Sequence, residues 1–177
     1  MYELKEVITL AKIATIITDY FEDSEYLDPA EAFDREDHDV KTIGFKTGEI
    51  TGKNGSKVTI DKNIDEVSPD DFDALFIPGG FSPDILRADD RFVKFAKTFM
   101  DEKKTVLAIC HGPQVLITAE TLKNRDITGY KSIVVDLKNA GANYHDQKVV
   151  VCQEQLVSSR TPEDLPAFID SSLELLQ

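Results

Sequence analysis

The stretch TVLAICHGPQVLI, residues 105–117, changes character in its middle. Its first five residues form an apolar run of the kind that fills a buried strand. From Gly112 onward it has helical character, with Pro113 suited to an early helical position. Cys110, His111 and Gly112 stand at the junction. A strand that turns sharply into a helix projects the side chain at the turn beyond the sheet edge. AICHG resembles the G-x-S-x-G elbow, with Cys in place of Ser and Ala in place of the first Gly. The start of the next helix supplies unpaired N–H groups and partial positive charge. Both favour a thiolate, and cysteines so placed have pKa values of roughly 3.5–7.5 against about 8.5 when free. The plainer reading of Cys110 is a small buried hydrophobe ending a strand. His111 and Gly112 weigh against it, because packing requires neither.

The same alternation runs outward in both directions. KIATIIT (12–18), DVKTIGF (39–45) and ALFIPGG (74–80) read as strands. DSEYLDPAEAFDRE (23–36), RFVKFAKTFMDEK (91–103), GPQVLITAETL (112–122) and KSIVVDLKNAG (131–141) read as helices. GEITGKNGSKVTID (48–61) reads as a hairpin turning at KNG, and KVVVC with LVSS as a second hairpin. The last helix, TPEDLPAFIDSSLELL, is expected to start with Thr161 as N-cap and Pro162 at its first position. Continuous apolar strands alternating with helices predict an α/β fold, a mainly parallel sheet covered by helices on both faces.

At 177 residues the chain is long enough for one well-buried core, so a single domain over 1–177 is expected, with residues 1–11 as an N-terminal extension. A formal net charge of −13 disfavours nucleic-acid and anionic-membrane partners. No apolar run approaches the ~20 residues of a spanning helix, and MYELKEV lacks the apolar core of a secretory signal. Cys110 and Cys152 read as free thiols of a cytoplasmic protein. No metal-ligand spacing is present, and no cofactor is called for.

In an open α/β sheet, functional groups collect beyond the carboxyl ends of the strands. That rule selects Glu22 after the first strand, Gly79 and Gly80 after ALFIP, and Cys110 with His111 after TVLAI. The N–H of His111 and those near Gly79 and Gly80 could stabilise an oxyanion. GFSPD (80–84) could overhang the pocket; its plain reading is a helix entry with Ser82 as cap and Pro83 at the first position. His38 and His145 sit in polar stretches and read as surface residues. Cys152 reads as a structural thiol at a hairpin end.

Taken together, FEDSEY, TGKNGSKVTID, FDALFIPGGFSPDILR, AICHGPQVLI, DLKNAGANY and SSRTPEDLPAF resemble the ThiJ/PfpI family of the class I glutamine-amidotransferase-like superfamily. The resemblance covers the chain from about Ile13 onward. It implies a flavodoxin-like three-layer α/β/α sandwich and a homodimer or dimer-built hexamer. It assigns Cys110 as nucleophile, Glu22 as the acid hydrogen-bonded to the sulfur, and His111 as the adjacent base. Gly79, Gly80 and the His111 N–H become the oxyanion region. Asp84 occupies the position of a third acid that can come from a neighbouring subunit, where the family archetype has Glu. The family commonly has Asp where this chain has Cys152.

The implied substrates are small carbonyls or peptides and amides, handled by hydrolase or amidase chemistry or by cofactor-free glyoxalase or deglycase chemistry. A pocket at strand ends suits a small substrate better than a long peptide. The non-enzymatic alternative is a redox sensor or chaperone working through oxidation of Cys110.

Overall fold

The computed structural model describes residues 10–177. In chain order the elements are β1 (Lys12–Ile16), α1 (Asp23–Arg35), β2 (Asp39–Gly44), β3 (Gly48–Thr51), β4 (Lys57–Ile60), β5 (Lys62–Asn63) and β6 (Ala74–Ile77). They continue with α2 (Ser82–Arg87), α3 (Asp90–Asp101), β7 (Thr105–Ile109), α4 (Pro113–Thr118), β8 (Asp126–Ile127) and α5 (Val134–Asn139). β9 (Asn143–Tyr144), β10 (Val150–Cys152), β11 (Leu156–Ser159) and α6 (Leu165–Leu176) complete the chain. The main sheet has seven strands in the order β10-β11-β7-β6-β1-β2-β5. All its pairings are parallel except β10 with β11. The expected extension over 1–11 lies outside the described residues except for Leu10 and Ala11.

Strand periodicity splits the apolar residues into two cores. Ala14 and Ile16, Leu75 and Ile77, and Val106 and Ala108 face α2–α5, meeting Leu86, Phe92, Phe99, Leu116 and Leu137. Their neighbours Ile13, Ala74, Phe76, Leu107 and Ile109 face α1 and α6. There Phe76 packs edge-on against Phe33, with centroids 5.8 Å apart, and at 6.1 Å from Phe168. Burial on both faces is why these strands read as unbroken apolar runs.

Three differences from the sequence expectations have local causes. The fourth helix stops at Thr118 rather than reaching 122. Glu120 takes a left-handed φ of 57°, and Thr121 N–H donates to Leu116 O, closing a Schellman-type end. The same device ends α1, with Asp37 at φ 63° and His38 N–H donating to Phe33 O. This turns His38 inward, correcting its reading as a surface residue: it is buried, and its Nδ1 accepts from Ala11 N–H at 3.0 Å. At the last helix, Thr161 provides no side-chain cap, and residues 162–164 form a 3-10 turn before α6. Buried Asp164 accepts from the Arg160 backbone N–H and guanidinium instead.

Candidate active site

β1, β6 and β7 are adjacent, so their carboxyl ends open into one crevice. From β1 the chain runs outward through β2 to β5 and then crosses back to β6 on the other side of β1, which makes this the topological switch where α/β proteins bind ligands. A cavity of about 720 Å³ lies there, within the usual range for small-molecule sites. Its lining includes Glu22, Glu25, Lys53, Gly80, Asp84, Cys110, His111 and Tyr130.

Cys110 is the elbow. Its φ of 60° is the left-handed conformation, which costs a non-glycine residue roughly 1–3 kcal/mol and is stable only where its surroundings over-determine it. Here Cys110 N–H donates to Ser159 O of β11 at 2.9 Å, and its carbonyl accepts from Tyr130 N–H at 2.9 Å. The turn closes through Gly112 N–H to Ile109 O at 2.8 Å. A Cβ on Gly112 would lie 2.5 Å from Ile77 O, so the next helix can start this close to β6 only with glycine there. At Gly80, φ is 78° and a Cβ would lie 2.6 Å from Tyr20 O, so this turn too admits only glycine without strain.

The acid beside the sulfur is Glu25, in place of the expected Glu22. Glu25 lies in the first turn of α1 and is fully buried. Its Oε1 accepts from Gly79 N–H at 3.1 Å, its Oε2 is buried without a hydrogen-bond partner, and the carboxyl lies close enough to the Cys110 thiol for each to shift the other's pKa. Gly79 lacks a side chain because a Cβ would lie 2.8 Å from Cys110 Cβ and run into Glu25. Glu22, one turn earlier, sits at the N-cap position and reaches the other way. Its Oε2 pairs with Lys53 Nζ at 2.7 Å, and its Oε1 accepts from Asn54 Nδ2 at 3.2 Å. Glu22 thus lines the pocket without touching the sulfur through a hydrogen bond.

Burial and the neighbouring Glu22 charge push the Glu25 carboxyl up to about 8. Near neutrality Glu25 is therefore mostly protonated. On balance burial pushes the Cys110 thiol up, reinforced by a charged Glu25, and the backbone N–H groups of His111 and Gly80 oppose this only in part. The donors at the sulfur are thus His111 and Gly80. Gly79, expected as a third oxyanion donor, spends its N–H on Glu25.

His111 is half-buried with its ring against Tyr130, centroids 4.9 Å apart. Burial holds its pKa below the ordinary value, opposed by Asp84. Asp84 lies in α2 of the same chain and lines the same cavity. Among the described residues no hydrogen bond joins the His111 ring to Cys110 or to Asp84. Ser82 begins α2, and its Oγ accepts from Thr18 N–H at 3.0 Å, tying that helix to the end of β1. Cys152 is buried away from the cavity and accepts from Asp126 N–H at 3.3 Å. His145 is paired with Asp126 at the surface. Among the described residues no group of three or more His, Cys, Asp or Glu is arranged to hold a metal ion, and no helix is long and apolar enough to cross a membrane.

Sequence reasoning did not single out Glu25, Lys53 or Tyr130. A signal for Glu25 existed. The inward stripe of α1 runs through Glu25, Pro29 and Phe33, spaced four apart, so an acid occupies a core position of an amphipathic helix.

Fold and site together define a class, the parallel α/β proteins that carry a cysteine at a strand-to-helix elbow with a buried carboxyl against its sulfur. The chain belongs to the DJ-1/PfpI family, whose sequence model matches residues 11–175, and its fold is the flavodoxin-like one of that family. It is 59% identical over 168 residues to general stress protein 18 of Bacillus subtilis (strain 168), covering 94% of this chain and 98% of that one. It is 55% identical over 167 residues to protein/nucleic acid deglycase 2 of Escherichia coli (strain K12), covering 93% and 97%. Among solved structures, a two-domain protein of Anabaena variabilis with DJ-1/ThiJ/PfpI-like and ferritin-like domains superposes with a TM-score of 0.90 at 36% identity. The match covers 93% of this chain and 48% of that longer one.

Proposed function

We propose that the protein is a stress-related enzyme in which Cys110 adds to the carbonyl carbon of a small aldehyde-bearing substrate, in glyoxalase- or deglycase-type chemistry. The observation that carries this reading is the buried Glu25–Cys110 pair beneath the N–H groups of His111 and Gly80. In this reading the pair holds one proton and one negative charge near neutral pH, against the upward push of burial on both groups. With the proton on Glu25, the carboxyl donates to the sulfur and its opposing charge is gone, and the two N–H groups hold the thiolate.

Attack on an aldehyde forms the C–S bond and sends the carbonyl electron pair to oxygen, where the N–H groups and the Glu25 proton receive it. With a 2-oxoaldehyde, neutral His111 is the base that moves the proton from the aldehyde carbon to its neighbour. Water then hydrolyses the resulting thioester to the 2-hydroxy acid, so no external oxidant or reductant is needed. The name of the Escherichia coli relative supports carbonyl chemistry, and that of the Bacillus subtilis relative supports a stress role. The missing link between His111 and Cys110 favours this chemistry over a Cys-His-Asp hydrolase triad. Both cysteines are free, which fits the reducing cytoplasm. Tyr20 and Phe81, both exposed at the cavity mouth, are where a second copy would dock in a dimer.

The test is methylglyoxal consumption with lactate formation, without added cofactor, by wild type and Cys110→Ser. Turnover in wild type and only background in a folded Cys110→Ser variant is the expected result. Equal rates in the two would remove Cys110 from the chemistry. No turnover in either, with selective Cys110 oxidation at low peroxide, would move the assignment to a redox sensor.

A further inference from the structure

The β3–β4 turn is docked onto the start of α1 by a set of contacts that sheet formation does not require. Lys53 N–H donates to Phe21 O at 3.0 Å. The Asp23 carboxylate accepts from Asn54 N–H at 3.2 Å and Ser56 N–H at 3.1 Å. Asp23 is buried, and although burial opposes its charge, the hydrogen bonds from Asn54 and Ser56 hold its pKa below the ordinary value. A Cβ on Gly52 would lie 2.7 Å from the Asp23 carboxyl carbon and 2.9 Å from Phe21 Cζ, so the close approach depends on glycine. The outcome is that Lys53 enters the cavity, anchored by Glu22 at 2.7 Å.

We propose that Lys53, delivered by this docked turn and held by Glu22, is a positioning residue that sets the charge felt by the Glu25–Cys110 pair and so the reactivity of Cys110. This rests on the nucleophilic role of Cys110 proposed above. An isolated ion pair at a surface would contribute little. This one faces a pocket with a buried ionisable pair at its base. The Lys53 ammonium interacts favourably with charge on both Cys110 and Glu25, while Glu22 opposes charge on Glu25. The other ionisable groups around the pair are Asp84 from α2, His111 at the elbow, and Tyr20 and Tyr130 from adjoining loops. Lys53 is the one cation among them while His111 is neutral.

The experiment is the rate of iodoacetamide alkylation of Cys110 against pH, with labelled peptides mapped, in wild type, Lys53→Met, Lys53→Arg, Glu22→Gln and Asp23→Asn. Lys53→Met is expected to raise the apparent pKa of Cys110 by roughly half to one unit, making alkylation at pH 7 about three- to tenfold slower. Lys53→Arg restores the wild-type profile. Glu22→Gln shifts the profile to lower pH, because it removes a negative charge while its amide oxygen can still accept from Lys53 and Asn54 and so keeps the lysine in place. Asp23→Asn, which loosens the turn, shifts it in the same direction as Lys53→Met.

A merely structural role would move the Lys53→Met and Glu22→Gln profiles in the same direction, or move neither, and either result overturns the proposal. A Cys110 that alkylates readily in wild type with a profile unchanged in Lys53→Met overturns this inference alone. A native Cys110 that resists labelling until unfolding overturns both this inference and the nucleophile on which it rests.

Discussion

A carboxyl group with no exposed surface and a single backbone N–H donor is costly to ionise, and Glu25 is such a group, with its Oε2 unpartnered. Its folded pKa, about 8, lies above the ordinary 4.5. By linkage, its contribution to stability is fully present below about 4.5 and declines as pH rises through about 8. Urea midpoints measured from pH 5 to 9 should therefore show a decline in wild type that flattens in Glu25→Gln. A decline of equal size in both would mean that Glu25 is ionised in the native protein. The same substitution separates two roles of the acid. Glutamine can still donate to sulfur but cannot release a proton. Glu25→Gln should keep Cys110 alkylation at pH 7 within a few-fold of wild type and lose most aldehyde turnover. Glu25→Leu, which has no donor, should slow the alkylation itself.

At the scale of elements, what the sequence made legible was type and order; what it hid was how elements end and how loops lie. Strands β1, β6 and β7 were legible because burial on both faces leaves little but apolar residues. The end of α4 was not, since its left-handed terminal residue is Glu120 where glycine would have marked it. The misassignment of Glu22 has the same origin. Counting from the strand places Glu22 first, but the helical phase, fixed by Pro29 and Phe33, turns Glu25 toward the sheet. Lys53 was hidden because its position depends on a turn docking across 30 residues of sequence, and no local pattern encodes that. The elbow carries a prediction at this scale. Gly112→Ala drives a Cβ into Ile77 O and the Ile109 backbone, so it should destabilise the fold by about 1–3 kcal/mol, the range for overpacking a tight site. A urea midpoint equal to wild type would show that the elbow can relax.

For the whole molecule, the sheet order is what makes a site at all. The Cys110 elbow, the glycine turn and the α1 start are each unremarkable in sequence. They meet only because β7, β6 and β1 are consecutive neighbours pointing the same way. The strand-end rule found that crevice from the sequence, and the cavity's place in the structure agrees with it. Beneath it the aromatic stack of Phe33, Phe76 and Phe168 locks α1 and α6 onto the sheet, and Tyr26, one residue beyond Glu25, stacks on Phe76 at 6.5 Å. Phe76→Ala should cost about 3–5 kcal/mol and slow Cys110 alkylation as α1 loosens. Lost stability with unchanged alkylation would separate the core from the site.

The central claim is that native Cys110 is a thiolate beside a protonated Glu25. The far-ultraviolet absorbance of thiolate, titrated in wild type and corrected with Cys110→Ser, tests it most directly. The account predicts a Cys110 signal already present near neutrality and lost only on acidification, well below the ~8.5 of a free thiol. A signal that first appears above that value would place the proton on sulfur and contradict the account.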